Sequence, residues 1–108
     1  RLDLTPLLAV LADETNPGRG AAIFHATLAA ALAEWVRRHA DPGGKVLGAG
    51  GCFLNQVLVR NLRSRLATHG LHLVEAQKLP PNDGGLSLGQ AWVAMNALIV
   101  EPDAEEEN

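Results

Sequence analysis

The pattern of apolar and polar positions predicts three long helices. From residue 21 to about His39, apolar side chains recur at a spacing that places them on one face of a helix. A second helix is predicted from Leu54 to Thr68, and a third from Leu86 to Ile99. The side chains expected to face inward are Phe24, Leu28, Leu32, Trp35 and Val36 in the first helix, Leu54, Leu58, Leu62 and Leu66 in the second, and Leu88, Trp92, Met95 and Ile99 in the third.

Turn and cap residues separate these helices from a short first helix and two strands. Thr5 followed by Pro6 is typical of an N-cap and begins the short helix. Residues 16–18, NPG, predict a turn, and residues 41–44, DPGG, predict a helix stop. Residues 45–49 predict a short buried strand, and residues 71–74 predict a second short strand. Because a helix lies between them, we expect parallel pairing through a right-handed crossover.

These elements predict an α/β fold with a short parallel β-α-β unit. A sheet of two parallel strands is thin, since parallel strands normally lie between helix layers within a larger sheet. We therefore expect residues 1–100 to be a portion of a larger α/β domain. The first residue is Arg1 rather than methionine, which fits a fragment or a processed product. The acidic residues 101–108 are expected to form a disordered tail.

Composition narrows the functional classes. The net charge is −3 and no basic run is present, so there is no electrostatic basis for binding nucleic acid or an anionic membrane. The single cysteine, Cys52, excludes an internal disulfide and a cysteine-based zinc site. No apolar stretch is long enough to span a membrane. We expect a cytoplasmic protein.

Candidate chemistry is concentrated after the first strand. Gly50 and Gly51 would let a ligand approach the backbone, and the following helix N-terminus would offer N–H groups to a phosphate. The same pair is also typical of a simple tight turn. Asn55 suits either a hydrogen bond to a ribose or phosphate or a helix cap, and its spacing favours the cap. For Cys52 we favour a small buried hydrophobic side chain over an activated thiol.

Asp83 and the histidines have both structural and functional interpretations. Asp83 precedes the last helix, where the N-cap is the favoured interpretation and a metal ligand is the alternative. One carboxylate alone does not build a metal site. His25 is predicted to be a packing or hydrogen-bonding residue. His39 and His69 are predicted to be solvated at helix C-termini.

Three segments resemble the hydrogenase maturation carbamoyltransferase family, HypF. Residues 24–29, FHATLA, resemble its Phe-His-x-Thr-Leu segment. Residues 50–56, GGCFLNQ, resemble its Gly-Gly-Val-Phe-x-Asn, with Cys52 in place of the usual valine. Residues 80–91, PPNDGGLSLGQA, give the longest match, and the resemblance covers about residues 2–98. The glycine pair and the Asp83 loop are also similar to the wider family of threonylcarbamoyl-adenosine tRNA-modifying enzymes.

The resemblance implies a helix-rich part of an actin-like, RNase H-like ATPase fold. It implies that Gly50, Gly51 and Asn55 contact ATP or carbamoyl-adenylate, and that Asp83 is one ligand of a divalent metal, iron or zinc. The family's phosphate-binding hairpin and its pair of histidine ligands lie in an earlier segment that this sequence does not contain. We therefore expect the isolated chain to be inactive and to bind metal weakly.

The resemblance also implies a reaction and a partner. In the family, carbamoyl phosphate and ATP give carbamoyl-adenylate, and the carbamoyl group passes to the C-terminal cysteine of the partner HypE, where it becomes a cyanide ligand of nickel–iron hydrogenase. Two alternatives stay open, a non-catalytic α/β interaction module and a tRNA-modifying relative. Phe53 and residues 80–85 favour the hydrogenase branch. We expect the isolated chain to self-associate through the first strand or the helix that carries Phe24, Leu28 and Trp35.

Overall fold

The computed structural model describes residues 2–100, which form four α-helices and a two-stranded sheet. The predicted α/β architecture is therefore confirmed. The predicted acidic tail, residues 101–108, lies outside the described residues. The helices are α1 (Thr5–Asp13), α2 (Pro17–Arg37), α3 (Gln56–Thr68) and α4 (Leu86–Val100), the strands are β1 (Lys45–Gly48) and β2 (His72–Glu75), and two short 3-10 turns cover Gly51–Leu54 and Asp83–Gly85.

The sheet is the predicted β-α-β unit, with α3 connecting two parallel strands. Lys45 lies opposite His72, and the pairing continues in register along both strands. The prediction that the first strand is buried is wrong for one of its faces, because Leu47 is 81% exposed. The helical core covers only the other face, where Val46 and Leu73 contact it. One face of the sheet is therefore bare in the described residues.

The core forms where α2 packs against α3. Ala29 and Ala33 of α2 are almost completely buried, and their small side chains let the two helices approach closely. The predicted inward leucines of α3 are confirmed except for Leu54, which is 56% exposed and lies before the helix. Trp35 was predicted to face inward but is 48% exposed beside the ring of His39. The buried cluster consists of Ala29, Ala33, Leu58, Leu62, Leu66 and Leu71.

Side-chain oxygens cap the starts of α2 and α3, and two predicted helix starts were wrong. The NPG segment is not a separate turn, because Asn16 caps α2 by accepting a hydrogen bond from the Arg19 N–H. Pro17 then occupies a first-turn position, where its missing N–H costs nothing. Thr5 does not cap α1. Its own N–H instead donates to the carboxylate of Asp3.

Helix α4 is exposed over residues 86–98, which contradicts the predicted inward face. Leu88, Trp92 and Met95 are 56%, 65% and 54% exposed, and the side chain of Ile99 lies outside the described part. The helix carries no charged residue, so no face of it is distinctly polar. Its main neighbour within residues 2–100 is the 3-10 turn that leads into it. No helix in this range has both the length and the apolar character needed to cross a bilayer.

Candidate functional site

A pocket in the described part of the chain lies where both strands end. Its volume is about 820 Å³, and it brings together Gly50 and Asp83, two residues that the sequence singled out. The carboxyl ends of parallel strands are where α/β proteins commonly bind ligands. The pocket is lined by the β1 end (Gly48, Ala49 and Gly50), Ala76 after β2, the loop residues Leu79, Pro80, Pro81, Asn82, Asp83 and Gly85, and the α4 residues Leu86, Gly89, Gln90, Val93 and Ala94.

The wall at the end of β1 depends on two glycines. A Cβ on Gly48 would lie 2.3 Å from the ring of Phe53, so only glycine leaves room for that ring. Gly50 has φ 102° and ψ 163°, a conformation that is essentially restricted to glycine. The Gly50 N–H donates to the carbonyl oxygen of Pro81, which ties the glycine turn to the loop that carries Asp83.

Gly51 and Cys52 lie outside the pocket. Gly51 begins the 3-10 turn, and a Cβ at this position would meet no atom within 4 Å. Cys52 is exposed, so the prediction of a buried thiol is wrong. The side chain that packs from this turn is Phe53, which contacts the core cluster.

Asn55 caps α3, as its spacing favoured, and does not line the pocket. Its Oδ1 accepts from the N–H groups of Val57 and Leu58, at 3.0 and 3.2 Å. Its Nδ2 lies 2.8 Å from Nε2 of His25 on α2. His25 is therefore a hydrogen-bonding residue, as predicted. The predicted contact between Asn55 and a nucleotide stays a prediction.

In the loop before α4, Asp83 does not act as the N-cap that the sequence favoured. Asn82 instead caps the 3-10 turn Asp83–Gly85, because its Oδ1 accepts from the Gly84 N–H at 3.1 Å. Asp83 is the first residue of the 3-10 turn, and its exposed side chain lies at the pocket. The Pro80 ring packs closely against Gly84, because a Cβ on Gly84 would lie 2.7 Å from that ring.

The described residues do not form a metal site by themselves. Within residues 2–100 no group of three or more histidine, cysteine, aspartate or glutamate side chains could hold an ion. Among the described residues, Asp83 is the only one of these types that lines the pocket. A carboxylate at the mouth of an apolar pocket suits a divalent cation as a single ligand. Any complete site therefore needs ligands from outside this range.

Helix α4 forms a wall of the pocket that the sequence did not predict. Leu86, Gly89, Gln90, Val93 and Ala94 follow the spacing of one helix face, and this face is adjacent to the predicted one. Gly89 lies at its centre, and a Cβ there would meet no atom within 4 Å. The signal in the sequence was the pair Gly89-Gln90 within an apolar helix, because glycine is unfavourable in a helix interior.

His39 and His69 lie away from the pocket, as solvated residues at helix ends. His39 is exposed, and its Nδ1 hydrogen-bonds the carbonyl oxygen of Trp35 at 2.7 Å. His69 is the exposed C-cap of α3. Both predictions are confirmed.

Comparison with known proteins places the chain in a family of transferases. Residues 1–90 match the family model described as the carbamoyltransferase Kae1-like domain, second subdomain. The chain belongs to this carbamoyltransferase family. No solved structure matches it.

Several relatives are named HypF. The chain is 56% identical over 96 residues to carbamoyltransferase HypF2 of Cupriavidus necator, covering 87% of this chain and 12% of the relative. It is 40% identical over 111 residues to carbamoyltransferase HypF of Rhizobium leguminosarum, covering 99% and 15%. A HypF homologue from Cupriavidus necator is 44% identical over 118 residues, covering 98% and 30%. The chain therefore spans less than a third of the length of these relatives.

Proposed function

We propose that this chain is the C-terminal part of a carbamoyltransferase domain that acts in nickel–iron hydrogenase maturation. The complete enzyme would use carbamoyl phosphate and ATP, through carbamoyl-adenylate, to carbamoylate the C-terminal cysteine of a HypE-like partner. The proposal rests on the pocket at the strand ends, where the glycine motif and the Asp83 loop meet. Its relatives' names support the same reaction class.

The pocket suits the nucleotide part of such a substrate. Its walls are almost entirely aliphatic side chains and glycine, which favour a flat base over a charged group. No lysine or arginine lines it within the described residues, so the chain itself offers no cation to balance a phosphate. We propose that Gly50, Gly51 and Asn55 face the nucleotide in the complete domain, and that Asp83 is one ligand of a divalent metal, iron or zinc.

The roles of this chain's residues follow from their positions. The Gly50–Pro81 hydrogen bond holds the glycine turn against the Asp83 loop, so both motifs keep a fixed spacing. The α4 face of Leu86, Gly89 and Val93 forms one wall of the pocket and would exclude water from that side once a ligand covers it. The chemistry that a bound divalent metal supplies is polarisation of the acyl oxygen.

The domain around this chain would be actin-like, with a further lobe that completes the site. The bare sheet face and the exposed α4 are the surfaces that this lobe would cover. In isolation the chain would be inactive and would self-associate. The net charge of −3 argues against a nucleic-acid substrate, and we propose a cytoplasmic location without a membrane partner.

Metal content and ATP binding of the complete enzyme test this proposal. Asp83→Ala should lower bound iron or zinc and weaken ATP binding, while the thermal unfolding midpoint stays close to that of the unmodified enzyme. Asp13→Ala is the matched control, because Asp13 is an exposed acidic residue at the end of α1. Unchanged metal content in Asp83→Ala, or an equal loss in both variants, would contradict the assignment.

A further inference from the structure

Two motifs that lie 30 residues apart in sequence are joined by a hydrogen-bonded chain. Nδ1 of His25 lies 2.7 Å from the carbonyl oxygen of Ala21, and Nε2 of His25 lies 2.8 Å from Nδ2 of Asn55. The chain continues from Asn55 Oδ1 to two N–H groups at the start of α3. It therefore connects the middle of α2 to the first turn of α3.

The groups at the two ends of this series of hydrogen bonds determine the donor and the acceptor of every bond in it. A carbonyl oxygen only accepts, so Nδ1 of His25 carries the proton and donates to Ala21. In the neutral ring Nε2 is then the acceptor, and it requires the NH₂ side of the Asn55 amide. The backbone N–H groups of Val57 and Leu58 independently require the oxygen on the other side. Both constraints give the same amide orientation.

In this arrangement of the described residues the Asn55 side chain has only one free hydrogen-bonding group, an amide N–H donor. Both N–H groups of α3 occupy its oxygen, and His25 occupies one of its two amide hydrogens. The second hydrogen is the remaining polar group, and the residue is exposed to solvent. Asn55 therefore presents one donor and no spare acceptor on the surface beside the glycine turn.

We propose that His25 is a positioning residue that orients Asn55 as a hydrogen-bond donor to a phosphate or ribose oxygen of the nucleotide. This inference rests on the proposed function, because it takes the nucleotide as the ligand. Neither His25 nor Asn55 lines the pocket, and His25 acts through Asn55, which is exposed beside the glycine turn. The Phe24 ring meets the imidazole edge-on, with centroids 5.4 Å apart, which restricts the orientation of the His25 ring.

Substitutions separate this role from simple packing. His25→Leu removes the acceptor and frees the amide to rotate, whereas His25→Gln keeps a side-chain oxygen that can accept from Nδ2. Asn55→Asp keeps an oxygen that caps α3, since aspartate is a good N-cap, but it removes the donor. Loss of a hydrogen bond to a charged acceptor weakens binding by roughly tenfold or more.

The test has a spectroscopic part and a binding part. In the 108-residue chain, nitrogen NMR should show His25 in its Nδ1–H form, with a scalar coupling between its Nε2 and Nδ2 of Asn55. In the complete enzyme, calorimetry with ATP should show affinity falling by roughly tenfold in His25→Leu and Asn55→Asp and largely restored in His25→Gln. The unfolding midpoints of these variants should stay close together.

The outcomes distinguish this inference from the proposed function. If the unmodified complete enzyme does not bind ATP, the proposed function fails, and this inference fails with it. If the enzyme binds ATP but His25→Leu keeps full affinity, or if His25→Gln is as weak as His25→Leu, the positioning role is wrong and the proposed function stands. An Nε2–H form of His25 would also overturn the positioning role.

Discussion

The backbone N–H of Gly50 donates to the carbonyl oxygen of Pro81, and this bond joins the two motifs that define the candidate site. One motif follows β1 and the other precedes α4, so the contact spans 31 positions of sequence. It fixes the edge of the pocket at which Asp83 lies. The shape of the site therefore depends on the backbone conformation of Gly50.

Replacing Gly50 by alanine should destabilise the chain and loosen the Asp83 loop. The Gly50 backbone, with φ 102° and ψ 163°, costs a residue with a Cβ on the order of 1–3 kcal/mol. Gly51→Ala is the matched control, because its Cβ would meet no atom within 4 Å and its φ is not positive. Urea unfolding of both variants measures the difference. Equal stability of the two variants would show that the Gly50 conformation is not required.

Replacing Gly89 by alanine should weaken ligand binding while strengthening the helix. Alanine is favoured over glycine in a helix interior by roughly 0.8–1.0 kcal/mol. The added methyl group would extend from the α4 face that lines the pocket, where the space is open. ATP calorimetry and thermal unfolding of the complete enzyme test both effects. Ser87→Ala is the control, because Ser87 lies on the same helix but outside the pocket. Full ATP affinity in the Gly89→Ala enzyme would contradict the placement of the ligand in this pocket.

Glu34 should titrate far below an ordinary glutamate. Hydrogen bonds from Arg37 and then Arg38 lower the pKa of Glu34 from 4.5 to about 2. Because the folded pKa is depressed, the stabilisation is present above pH 4.5 and is lost as the pH falls through about 2. Carboxyl NMR of Glu34 across this range measures it. In Arg37→Gln the pKa should rise toward 4.5, and a titration already near 4.5 in the unmodified chain would contradict these contacts.

The isolated chain should self-associate in a concentration-dependent way. Leu47 and Trp92 are 81% and 65% exposed, and both lie on apolar surfaces that a complete domain would cover. Light scattering across a dilution series should show a larger species at high concentration. Leu47→Lys or Trp92→Lys should shift it toward monomer, and Gln77→Lys, in an exposed loop, should not. A monomer at every concentration would contradict this expectation.

Sequence periodicity predicted the parts of the fold that local physics determines. Leu58, Leu62 and Leu66 were placed inward correctly, because polar residues on the other side of α3 make its apolar face distinct. Helix α4 gave no such contrast, since it carries no charged residue, and its predicted inward face was wrong. Trp35 was assigned inward by spacing alone, but the alanines of α2 form the buried contact instead.

Two residues of the candidate site were predicted from the sequence, whereas the α4 wall and the contacts between the motifs were not. Gly50 and Asp83 were recognised from turn chemistry and motif resemblance, and they line the same pocket. The bond between His25 and Asn55 joins positions 30 residues apart, so no local pattern indicates it. The expected cap at Asp83 did not form, because a 3-10 turn capped by Asn82 precedes α4 and includes Asp83.

Transfer of label from radiolabelled carbamoyl phosphate to the C-terminal cysteine of a HypE-like partner tests the central proposal most directly. The complete enzyme that contains these residues should transfer label only when ATP is present. Asp83→Ala should abolish most of this transfer, whereas Asp13→Ala should retain it. Equal transfer by Asp83→Ala and the unmodified enzyme, or transfer that does not require ATP, would contradict the assignment of this pocket to the reaction.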